Sequence, residues 1–307
     1  MDVIVTIDTE ADNQWAYNEV VTTENLNYVP RFQRLCERYG LRPTYLCAFE
    51  VVESSHFESV LRPYQERGAA EIGAHLHPWT NPPFGPAARA GIDKDAYPAY
   101  PSELTLKDFS AKLTVLTDRI AVRTGRAPTS YRAGRWGFTA AHVAVLVGLG
   151  YTVDCSVTPL VSWADEAGRR EGGPDFRAAP LVPYFLDPTD VCRAGPSTLL
   201  EIPVTIVLPS AAMRQSADPQ WFRPYPKMSA EQLLEVYRVA SAQKLPALEM
   251  MLHSCELMPG GSPYNPTEAS IEQLYAKLDR VFAQLARDGC HGATLSAFAE
   301  SWEQAVL

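Results

Sequence analysis

Two short stretches concentrate the side chains able to do chemistry. "TIDTEAD" (6–12) carries Asp8, Glu10 and Asp12, and "EIGAHLH" (71–77) carries His75 and His77. In an extended chain, residues two apart point to the same side. His75 and His77 can therefore converge on one object, and so can Asp8 and Glu10. Two histidines with one carboxylate are a common catalytic metal set that leaves positions open for water and substrate. A second carboxylate beside the ion is then free to act as base. His253 in "MLHS", Arg132 in "SYRAGRWG" and Asp154 in "YTVDCS" add reactive groups at the ends of other apolar runs. Taken singly, a histidine pair fits a protein core and an alternating acid pair fits a helix cap; their coincidence at matched positions points to a site. His56, His142 and His291 fall in helical or turn context without such partners and are assigned structural roles.

The elements that must position these residues alternate in type. β-like runs occupy 2–8, 44–49, 70–77, 129–133, 151–156, 199–208, 247–254 and 292–296. Helical stretches lie between them. Pro30 opens and Gly40 closes the first; Thr105 and Asp108 form a capping box for the one that stops at Gly125; Ser229 with Gln232 caps a later one, and others begin near Thr139 and Thr267. Seven or eight βα units without a linker or composition break predict an α/β parallel barrel in a single domain, residues 1–307. All C-terminal strand ends of such a barrel open on one face, which would gather the reactive residues into one pocket. Two loops break the rhythm, 78–103 and 157–198, and long ordered loops are usually functional.

Composition narrows the class. The 307 residues are 46% hydrophobic and 21% charged, ordinary for a globular protein. A net charge of −9 without a basic cluster argues against nucleic acid. No run reaches the ~18 apolar residues of a membrane span, and "MDVIVTIDTE" has no basic leader before an apolar stretch, so the expected location is cytoplasmic. The six cysteines form no CxxC pair and are read as reduced thiols. Trp15, Trp79, Trp136, Trp163 and Trp221 follow strands, and indole faces stack well on sugar rings; Trp15, Trp79 and Trp136 are the candidate substrate contacts.

In their order along the chain, the acidic pair after the first strand, "HLHPW" after "EIG", the arginine in "YRAGRWG", the aspartate in "VDCS" and the late "LH" resemble the polysaccharide deacetylases of the nodulation-protein type, carbohydrate esterase family 4. "DTE", "HLHPW" and "HSCEL" suggest a divergent cytosolic subgroup. Here the acids alternate rather than adjoin, and the histidines are two apart rather than four. The resemblance implies a distorted (β/α)7 barrel and a divalent ion serving hydrolysis of an N-acyl amide, expected to be N-acetyl, on an amino sugar or glycan precursor; the convergence of two histidines and a carboxylate makes zinc the expected ion. It implies Asp8 as base, His75 and His77 as metal ligands, Arg132 as the group orienting the base, His253 as general acid and Asp154 as the residue tuning it. The metal carboxylate is Glu10 or Asp12, with Glu10 preferred for the face it shares with Asp8. Two rival functions use the same residues: a metal-independent glycoside hydrolase with Asp8 and another acid as its pair, and a catalytically silent glycan- or metal-binding protein.

Overall fold

The computed structural model describes the chain apart from residues 13, 15–20, 85–97, 167, 169–171, 210–217 and 307. Its elements run β1 (Asp2–Thr9), α1 (Val29–Arg38), β2 (Thr44–Cys47), α2 (Phe49–Glu53), α3 (Arg62–Glu66), β3 (Glu71–Leu76), α4 (Leu106–Thr124), β4 (Ser130–Ala133), α5 (Ala140–Gly148) and β5 (Val153–Asp154). They continue with β6 (Tyr184–Asp187), β7 (Asp190–Ala194), β8 (Leu200–Glu201), β9 (Ile206–Val207), β10 (Gln220–Trp221), α6 (Ala230–Ala242), β11 (Ala247–His253), α7 (Glu268–Arg287), β12 (His291–Ala293) and α8 (Leu295–Val306).

Local chemistry explains most boundaries. Thr105 accepts a hydrogen bond from the Asp108 amide at the start of α4, and Gly125 ends that helix in the left-handed conformation. Ser229 and Gln232 form the expected reciprocal cap on α6, Thr267 caps α7, and Pro30 lies in the first turn of α1.

The strands β11-β1-β2-β3-β4-β5-β8 lie side by side, all parallel, and curl into a distorted barrel. β12 pairs with the first half of β1, whose second half pairs with β2. The remaining seam, between the segment after β8 and β11, is bridged by Thr205: its Oγ1 accepts from the Glu249 amide at 2.8 Å, and its amide donates to the Glu249 carbonyl at 3.3 Å. Alternation sorts each strand. Val3, Val5 and Ile7 join the large core under the helices, whereas Ile4, Leu46, Val153 and Leu200 form a second core with Leu295 and Phe298 of α8.

Two expected units are rebuilt. The run 199–208 is not one strand: Pro203 cannot donate to a ladder, and after it Ile206–Val207 pairs antiparallel with β10 outside the barrel. β5 covers only Val153–Asp154 of the expected 151–156, and the long segment after it includes the antiparallel hairpin β6–β7, with β6 also antiparallel to β8. The other loop that breaks the rhythm, 78–103, is tied down at its start by Lys112 of α4, which donates to the carbonyls of Asn81 and Pro83.

Candidate metal centre and active site

The C-terminal strand ends meet on one rim. Asp8 is in register with His253 across β1 and β11, and His75 with Arg132 across β3 and β4; paired residues of parallel strands share a face, so these four point inward together. Glu10 follows β1 and His77 follows β3 by one residue. Among the described residues, donor atoms of Glu10, His75 and His77 all lie within 4.8 Å of one another. His77 Nε2 is 2.8 Å from Glu10 Oε2 and 3.1 Å from His75 Nε2, and His75 Nε2 is 3.7 Å from Glu10 Oε2.

This donor set fits a divalent ion. Atoms bound at about 2.0–2.2 Å to one tetrahedral ion sit roughly 3.3–3.6 Å apart, close to these separations. Burial pushes both histidines down to about 4, so both are neutral at pH 7, the form that can bind a metal. Burial also pushes the Glu10 carboxyl upward, an electrostatic cost that a cation would offset. The Nδ1 of His75 donates to the Arg132 carbonyl at 3.0 Å, which leaves its Nε2 lone pair facing the cluster. Asp12 points elsewhere, accepting from the amides of Glu24 and Asn25 at 2.8 Å each as a loop cap. Of the two carboxylates left open by the sequence, the structure brings Glu10 to the histidines.

Asp8 stands beside this cluster. Its Oδ1 accepts from Arg132 Nη1 at 2.7 Å, and its Oδ2 lies 3.9 Å from His253 Nε2 and 4.0 Å from His75 Nε2. Burial opposes its charge, but Arg132, His75 and His253 outweigh that and hold it well below the usual carboxylate range. Arg132 is fully buried, and its second arm donates to Glu249 Oε1 at 2.8 Å while Nε donates to the Cys155 carbonyl at 2.9 Å. Glu249 also accepts from Thr6 Oγ1.

His253 carries a different carboxylate from the one expected. Its Nδ1 is 2.8 Å from Glu256 Oε1, which also accepts from Arg223 Nη2 at 2.7 Å. Burial alone would lower His253, but the hydrogen bond to Glu256 leads the opposing effects and the net shift is upward. The structure does not bring Asp154 to His253. Asp154 is in register with Tyr131 and Glu201, so alternation turns it to the outer side of the barrel wall, where it accepts from Ser156 Oγ at 2.8 Å.

A cavity of about 450 Å³ opens over the rim, and Trp79, Trp136 and Trp163 are among its walls. Trp79 lies against His77 with ring centroids 4.3 Å apart; Trp136 stacks on Trp163 at 6.3 Å and packs against Trp221 at 6.0 Å. Trp15 lies outside the described residues. His142 is buried against Phe109, ring centroids 3.8 Å apart, and His56 pairs with Thr23.

Sequence reasoning missed Glu249, Glu256 and Arg223. Glu249 sits four residues before His253 on the same strand face, and Glu256 follows His253 at the spacing of a capping box, so both left a local signal. Arg223 left none, because the carboxylate it pairs with, Glu256, is remote in sequence.

No family model and no curated relative matches the chain. Solved structures do. A candidate polysaccharide deacetylase from Mycobacterium smegmatis aligns over 99% of this chain and 91% of its own, at 15% identity and a TM-score of 0.57. A candidate glycoside hydrolase or deacetylase from Parabacteroides distasonis aligns over 99% of this chain and 71% of its own, at 11% identity and a TM-score of 0.68. The 4-alpha-glucanotransferase of Thermococcus litoralis aligns over 98% of this chain but 38% of its own, at 11% identity and a TM-score of 0.56. At such identities the likeness is one of fold: the chain shares a distorted α/β barrel with carbohydrate-active proteins of these kinds. No described helix is long and apolar enough to cross a membrane.

Proposed function

We propose that the protein is a metal-dependent amidohydrolase that removes an N-acyl group, N-acetyl in the first instance, from an amino sugar or glycan precursor. The observation that carries the reading is the convergence of Glu10, His75 and His77 in one cavity, with Asp8 and His253 beside them and 3.9 Å from each other. Glu10, His75 and His77 would hold the ion, zinc in this reading. Such an ion, when bound, polarises a carbonyl and acidifies water.

The chain's own residues supply the rest. Asp8 is fixed by Arg132 through one oxygen, and its other oxygen, ionised at neutral pH, faces the cluster and can accept a proton from water. An amide nitrogen leaves only when protonated, and His253, held toward its charged form by Glu256, can deliver that proton. Trp79, Trp136 and Trp163 offer flat apolar faces to a sugar ring.

The test is release of acetate from a panel of N-acetylated amino sugars, before and after chelation and after zinc is returned. Activity that chelation abolishes and zinc restores is expected. Hydrolysis indifferent to chelation would favour a metal-independent glycosidase, and sugar binding without turnover a silent binder.

A further inference from the structure

Glu50 belongs to none of the strand-end motifs. It lies in the first turn of α2, directly after β2, and β2 is the strand between the two that deliver the proposed ligands, β1 with Glu10 and β3 with His77. Its Oε1 accepts two hydrogen bonds, from the Ala11 amide at 3.2 Å and from Gln14 Nε2 at 3.2 Å. Ala11 adjoins Glu10. Gln14 in turn accepts from Trp79 Nε1 at 3.3 Å, and the Trp79 indole lies against the His77 ring. One carboxylate oxygen is thus joined to the segment that holds Glu10 and, through Gln14 and Trp79, to the segment that holds His77.

Both proposed ligands stand just beyond the ends of their strands, outside the sheet ladder, and a metal site tolerates only about 0.5 Å of misplacement. We propose that Glu50 is a positioning residue that braces Glu10 against His77 across the barrel rim and so sets the affinity of the metal site. This rests on the metal reading above. The groups that hold ligands in place without touching the ion are worth roughly 10–100-fold in affinity when removed.

Zinc affinity of the full chain, measured by competition with a chromogenic chelator, tests it alongside the unfolding midpoint of the metal-free protein. Glu50→Ala is expected to weaken zinc binding by roughly 10–100-fold, whereas Glu50→Gln, whose amide oxygen still accepts from Ala11 and Gln14, stays close to wild type. Loss of affinity in Glu50→Ala with rescue in Glu50→Gln supports the brace. A lowered unfolding midpoint with unchanged zinc affinity overturns it, as does equal loss in both variants. Wild-type protein that takes up no zinc would bring down the metal reading and the brace together; wild type that binds, with Glu50→Ala binding as tightly, would bring down the brace alone. Should Glu50→Ala not fold, Gln14→Ala decides, since it cuts the link to Trp79 and leaves the Ala11 bond: affinity loss near the lower end of the range is expected, and unchanged affinity overturns the brace.

Discussion

To serve as the proposed general acid His253 must be protonated, and its hydrogen bond to Glu256 favours that form. Burial and the nearby Arg223 lower its pKa, but the Glu256 hydrogen bond, with the charges of Glu10 and Glu256, outweighs them and raises it above the ordinary value. Activity on an amide should therefore hold at lower pH and fall as pH rises through that raised value. Glu256→Gln removes the negative charge, lowers His253 and moves this alkaline limb to lower pH. A kcat/KM profile against pH checks the shift, and an unmoved limb would show that Glu256 does not set the acid. The acids of "TIDTEAD" separate in a parallel way. Asp8→Asn should keep the metal and lose about 10²–10⁴-fold in turnover, since the amide cannot take a proton from water. Glu10→Ala should lose the metal. Asp12→Ala should keep metal and turnover and cost roughly 0.5–2 kcal/mol of stability, because Asp12 caps the amides of Glu24 and Asn25. Zinc titration, turnover and urea unfolding on the three variants read out all three outcomes.

The turn after β4 shows how an element shapes the site. Arg135 and Trp136 both adopt left-handed backbone angles, φ 51° and 63°, a conformation non-glycine residues hold only when their surroundings enforce it. The turn presses Gly134 onto β3: a Cβ there would come within 2.5 Å of His77 Nδ1 and 2.6 Å of the Leu76 carbonyl. Gly134→Ala must push the turn or the His77 ring away. It should cost roughly 1–3 kcal/mol of stability and weaken zinc binding, measured by denaturant unfolding of metal-free protein and by zinc titration. A stable variant with full affinity would mean that the close approach does not fix His77. "AGRWG" advertises a turn, but nothing in it announces a left-handed tryptophan or contact with a histidine some sixty positions earlier.

At the scale of the whole molecule, the barrel depends on how its last gap is bridged. Thr205 takes the place of a ladder between the segment after β8 and β11, and its hydroxyl satisfies the Glu249 amide. Thr205→Val keeps the shape but leaves that buried N–H without its acceptor, so a loss of about 1–3 kcal/mol is expected. Urea unfolding checks it, and an unchanged midpoint would show that the bridge is not needed. Glu249 also shares Arg132 with Asp8, so the bridge and the proposed base are linked through one buried cation. What the sequence determined by itself is local: the caps at Thr105, Ser229 and Thr267, the parity that turns Asp8 inward with Thr6 and His75 inward with Gly73, and the strand-helix rhythm that makes a parallel barrel. Those follow from contacts between residues a few positions apart, which leave their period in the chain. Only tertiary structure decided the rest. Register between β4 and β5 sent Asp154 outward, Pro203 split a run that reads as one strand, and the pairs Arg132–Glu249 and Arg223–Glu256 join groups brought together by barrel curvature. A buried charge takes whichever opposite charge the closed fold places beside it, and no spacing along the chain encodes that partner.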